Sequence, residues 1–100
     1  MKVLGTTINI PINYWRKAEQ ILGESIPRNE FRVICKCRGI DDANRKCHEL
    51  GFREKTFIKN RTSETGNKTE LELCETEDVW IVKNSGCKQK YISISQLNSL

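Results

Sequence analysis

Five cysteines and a single histidine are the side chains of this 100-residue chain best suited to hold a metal or attack an electrophile. Cys35 and Cys37 are spaced C-x-C, Cys47 and His48 adjoin, and Cys74 and Cys87 stand apart. A structural zinc site is usually built on C-x-x-C knuckles that turn two thiolates toward one ion. C-x-C on a strand puts both thiols on one side, but Cys47 and His48 diverge by about 100° around a helix. A small zinc-binding or redox domain drawn from Cys35, Cys37, Cys47 or His48, and Cys74 or Cys87 is therefore the third-ranked reading. The odd cysteine count, with no secretion signal, argues for reduced thiols rather than a disulfide framework.

Catalytic patterns are scarce. No Gly-rich phosphate loop, nucleophile elbow, H-E-x-x-H or paired-carboxylate spacing occurs, and Asp41-Asp42 reads as helix capping. His48 falls mid-helix beside Glu49, with Arg45 and Lys46 close by, as a surface histidine would. A cysteine nucleophile with His48 as base is the weakest option. The expectation is a non-enzyme without cofactor or metal.

Charge carries more information. Phe31 to Arg38 alternates, with Phe31, Val33, Cys35 and Cys37 on one side and Arg32, Ile34, Lys36 and Arg38 on the other. Gly39 breaks the strand. Asp41 reads as the N-cap of a helix in which Ala43, Cys47 and Leu50 recur at helical spacing, and Gly51 closes it. From Phe52 the period of two returns, placing Phe52, Thr56 and Ile58 on one side and Arg53, Lys55, Phe57, Lys59 and Arg61 on the other. Joined tightly, these pieces predict a parallel right-handed crossover whose outer face carries Arg32, Lys36, Arg38, Arg53, Lys55, Phe57, Lys59 and Arg61. Basic groups interleaved with an aromatic ring suit single-stranded RNA or DNA.

The next segment complicates that surface. Lys68 to Cys74 alternates too, with Leu71 and Leu73 inward and Glu70 and Glu72 outward, and reads as the return strand of a hairpin. Its glutamates would then pair with the basic residues opposite them. The basic edge left unpaired would be Arg32, Lys36 and Arg38. Glu70, Glu72, Glu75, Glu77 and Asp78 crowd into one acidic segment, so the surface has two poles around a modest net charge of +4.

The elements that must position these groups follow from the ends of the chain. Val3–Ile10 predicts a first strand stopped by Pro11; Asn13 caps a helix with Tyr14, Ala18, Ile21 and Leu22 on one stripe and Gly23 as its stop. Val79–Val82 reads as a buried strand and Lys90–Ser95 as the last one, with Ile92 and Ile94 inward. The fold class is α+β, in the order β-α-β-α-β-β-β-β, with two short helices on one face of a mixed, mostly antiparallel sheet; a small barrel is the alternative. One hundred residues make a single domain, 1–100. The first residues lack a continuous apolar run, so neither a signal peptide nor a membrane span is expected, and the location is cytoplasmic. The two N-x-Thr triplets at Asn60 and Asn67 are then chance matches.

Ile occurs 11 times, Lys 10 and Asn 8 against two Ala, the bias of an AT-rich genome. Lone domains of this size without a catalytic set are common among phage and mobile-element accessory proteins. The leading reading is a macromolecule-binding module that inhibits a host nucleic-acid-handling protein such as a defence nuclease, its acidic segment facing a basic channel and Trp15, Trp80 or Tyr91 as the candidate anchors. Direct single-stranded nucleic-acid binding is the alternative. No membrane partner is expected.

Overall fold

Two apolar faces on one strand decide the architecture. In β2 (Phe31–Cys37) the alternation puts Phe31, Val33, Cys35 and Cys37 on a first face, all of them fully buried, while Ile34 on the second face is equally buried. The central strand must therefore be covered from both sides. The computed structural model shows how, for residues 2–53, 55–58, 63–64, 67–83 and 89–100, with the backbone alone at 63–64.

β1 (Lys2–Thr7) runs antiparallel to β2, pairing Leu4 with Cys35 and Thr6 with Val33. On its other side β2 pairs antiparallel with β4 (Val79–Lys83), Ile34 lying opposite Trp80, and β4 pairs with β5 (Lys90–Ser93). A two-residue strand, β3 (Ser63–Glu64), flanks β1, giving the order β3-β1-β2-β4-β5. Every ladder is antiparallel, and the sheet does not close into a barrel. The α+β class stands, with the helices packed on the sheet.

On the first face lie α1 (Ile12–Leu22), α2 (Ile40–Glu49) and α4 (Ile94–Asn98), which bring Tyr14, Ala18, Ala43, Cys47, Ile94 and Leu97 onto the strands. Each large apolar side chain buried there is worth roughly 1.5–3 kcal/mol of transfer free energy. Gly23 takes the left-handed conformation that ends α1, as expected of its position. The second face is smaller: Val3, Ile34, Trp80, Val82 and Cys74, with Leu73 and Tyr91 at the edge, under α3 (Lys68–Leu73).

Several expectations are corrected. Residues 68–73 form a helix, not the return strand of a hairpin, because the Asn67 side chain accepts the Glu70 N–H at 2.7 Å and because Glu70, Leu73 and Cys74 recur at helical rather than alternate spacing on the buried side. No parallel crossover forms after α2, since residues 52, 53 and 55–58 are not a strand. Asn44 on α2 clamps that segment instead, its Oδ1 accepting the Phe57 N–H at 2.9 Å and its Nδ2 donating to the Phe57 carbonyl at 3.3 Å. Phe52, Thr56 and Phe57 are thereby buried and Ile58 is exposed. Asp41 is not the α2 cap: the helix starts at Ile40, and Asp42 in its first turn accepts the Arg38 N–H at 3.0 Å. The last strand ends at Ser93, whose hydroxyl and Gln96 form a capping box that turns Ile94 onward into α4.

Candidate macromolecule interface

The residues expected to share one basic sheet face are dispersed. Arg32 points onto the second face of the sheet and is taken up by Glu70 of α3, whose side chain is wholly buried and whose Oε1 accepts from the guanidinium. Its other oxygen, Oε2, has no partner among the described residues. Phe57, cast as the stacking ring, is 3% exposed in the core of the first face. Lys36 is half-buried, with its N–H donating to the Asp78 carbonyl at 2.7 Å and its carbonyl accepting the Lys46 ammonium at 2.8 Å. Arg38, Arg53 and Lys55 are exposed, but Arg38 follows β2 while Arg53 and Lys55 follow α2. Lys59 and Arg61 lie outside the described residues. No common platform of cations around an aromatic ring is formed by the described members of the set.

The acidic segment is sorted just as sharply, by what each carboxylate already holds. Glu70 is internal. Glu77 accepts the Ser95 N–H at 3.1 Å and the Ser95 hydroxyl, so it serves the first turn of α4. Asp78 pairs with the Lys46 ammonium at 3.2 Å, and Asp42 stands 3.6 Å from the same nitrogen. Burial works to lower the Lys46 pKa, yet the hydrogen bond and charge of Asp78, with the charge of Asp42, carry it above its ordinary value. Glu72 and Glu75 remain: both are exposed and neither makes an ion pair with a described residue. Glu75 follows Leu71 at +4, in the turn after α3, and lies at +3 from Glu72, and Leu71 is 45% exposed. Lys68 is the one cation of this helix.

The aromatic anchors divide. Trp80 is buried under α3 and donates from its indole to the Glu77 carbonyl at 3.3 Å. Trp15 is half-buried, its indole N–H held by the Ile26 carbonyl at 2.6 Å and Arg16 stacked over its ring at 4.7 Å. Tyr91 edges the second face, where burial and then the charge of Glu70 push its phenol up.

The described thiols are core groups. Cys35, Cys37, Cys47 and Cys74 are free and buried, while Cys87 lies outside the described residues. Desolvation drives Cys37 and Cys74 up to about 11, and Cys35 is raised further by its hydrogen bond with Cys47 and by burial. His48 is exposed although Cys47 beside it is buried, so the two diverge on α2 as the helical period requires. Among the described residues no group of three or more His, Cys, Asp or Glu could hold a metal ion, and no helix is long and apolar enough to cross a membrane.

The sequence carried a signal for the Glu70 arrangement that alternation obscured. Asn67 stands three residues before Glu70, the spacing of a helix N-terminus. No family model, curated protein or solved structure matches this chain.

Proposed function

We propose that this chain is a non-enzymatic protein-binding module whose outward α3 surface, Leu71 with Glu72 and Glu75, docks against a basic surface on a protein partner. The carrying observation is the sorting of the carboxylates: Glu70 is buried against Arg32, Glu77 is engaged by Ser95 and the exposed Asp78 by Lys46, whereas Glu72 and Glu75 stand exposed and without an ion pair to any described residue, beside an exposed leucine. An apolar residue flanked by acids supplies a small desolvated contact with charge around it, which steers association toward a cationic surface. Nucleic-acid-handling proteins present such surfaces in their substrate channels, and an accessory protein that occupies the channel inhibits by competition. Burial of Phe57 and pairing of Arg32 remove the stacking ring and one cation from the sheet-face mode of nucleic-acid binding.

Affinity capture from the native host, with and without nuclease, tests this reading. A protein that survives nuclease and is lost on Glu72→Lys with Glu75→Lys supports it. Capture that vanishes with nuclease, or that ignores the charge reversal, overturns it.

A further inference from the structure

On another part of the molecule, and independently of α3, a cleft of about 480 Å³ opens between the β1–α1 connection, the turn that precedes β2 and the segment that follows α2. Arg28, Arg53 and Lys55 line it together with Thr7, Asn9 and Pro11, and no carboxylate is among the described lining residues. We propose that this cleft binds a phosphate-bearing small molecule of mononucleotide size.

Three observations converge on an anion. Arg28 is not a free surface cation: its Nε donates to the carbonyl of Ile10, a fully buried residue, so the guanidinium is held in place while its terminal nitrogens bond to none of the described residues. Arg53 and Lys55 are exposed and make no ion pair with any described carboxylate. Pro11, which lines the cleft, is also the residue that precedes α1, and that helix has neither a side-chain cap nor an acidic residue in its first turn. The positive end of this eleven-residue helix thus carries neither a capping side chain nor a first-turn carboxylate of its own.

The shape narrows the ligand class. A volume of this order matches sites for compact organic ligands. The aromatic residue of the lining, Phe52, is 3% exposed, so it offers little ring surface for stacking a base. Recognition then rests on the phosphate, by guanidinium and ammonium donors, with Thr7 and Asn9 available to bond the remainder of the ligand.

The test is an amide chemical-shift titration of the whole chain at constant ionic strength with inorganic phosphate, adenosine 5′-monophosphate and adenosine as separate probes. Saturable shifts confined to residues around Thr7–Asn9, Arg28 and Arg53–Lys55 are expected with both phosphate-bearing probes and not with adenosine. Tighter binding of the nucleotide supports an organic phosphate, whereas equal binding of the two shows that the cleft recognises phosphate alone and overturns the size assignment. Arg53→Gln with Lys55→Gln, both at exposed positions, should weaken binding at least about tenfold, whereas Arg16→Gln on the exposed side of α1 should leave it unchanged. The proposal is overturned by shifts that fail to saturate, by equal loss in the Arg16 variant, or by an oligonucleotide without terminal phosphate that binds these residues more tightly as its length grows.

Discussion

Arg32 on β2 and Glu70 on α3 form an ion pair sealed between the second face of the sheet and the helix that covers it. This pair turns one cation of β2 inward and takes Glu70 out of the acidic surface. Breaking a buried pair strands its partner, so Glu70→Ala should destabilise the fold by about 3–5 kcal/mol. Because Glu70 Oε2 has no described partner, replacing both members, Arg32→Leu with Glu70→Leu, should recover most of that loss. Urea unfolding of the three proteins is the check; a single variant within about 0.5 kcal/mol of wild type would show the pair to be incidental.

Asn67 holds the first turn of α3 through the Glu70 N–H. Asn67→Ala should cost about 1 kcal/mol and Asn67→Asp little, since aspartate caps equally well. Equal losses in the two variants would mean that the cap contributes nothing specific.

Asn44→Ala removes both hydrogen bonds to the Phe57 backbone and should destabilise by roughly 1–3 kcal/mol, with hydrogen exchange at the Phe57 amide accelerating more than at β2 amides. Uniform acceleration through the chain would instead indicate that the clamp and the sheet open together.

The thiols give a pH dependence with a definite sign. Folded-state pKa values near 11 for Cys37 and Cys74 lie above the ordinary 9.0, so the folded state holds those protons more tightly than the unfolded chain. Their stabilising contribution is complete below pH 9 and is lost as pH rises from 9 through 11. The thermal unfolding midpoint should therefore fall across this window, and in Cys74→Ala it should fall less steeply, measured relative to that variant's own midpoint at neutral pH. Labelling by a thiol reagent at neutral pH should leave Cys35, Cys37, Cys47 and Cys74 unmodified until denaturant is added; rapid reaction of Cys37 or Cys74 would contradict their placement.

Elements whose buried face runs with a single period were legible from the residues. The alternation of Phe31–Cys37, the apolar run at Val79–Val82 and the helical stripe of Ala43 and Cys47 all led to the elements observed. Lys68–Cys74 misled because Glu-Leu-Glu-Leu alternates as a strand does, while its decisive feature, the burial of Glu70 against a cation 38 residues earlier, is a tertiary fact. Phe57 misled for a similar reason: its neighbours alternate, but a side chain from α2 supplies the hydrogen bonds that a strand partner was expected to supply. The charged surfaces were legible as composition and not as geometry. Whether a carboxylate is free depends on partners such as Ser95 for Glu77 and Lys46 for Asp78, which spacing along the chain does not reveal.

The most direct test of the central claim is quantitative capture of the host partner by wild type, by Glu72→Lys with Glu75→Lys, and by Arg53→Glu with Lys55→Glu, each after nuclease treatment. The account predicts undiminished capture by the cleft variant and at least about a tenfold loss for the α3 variant. Retention by the α3 variant with loss in the cleft variant would contradict it.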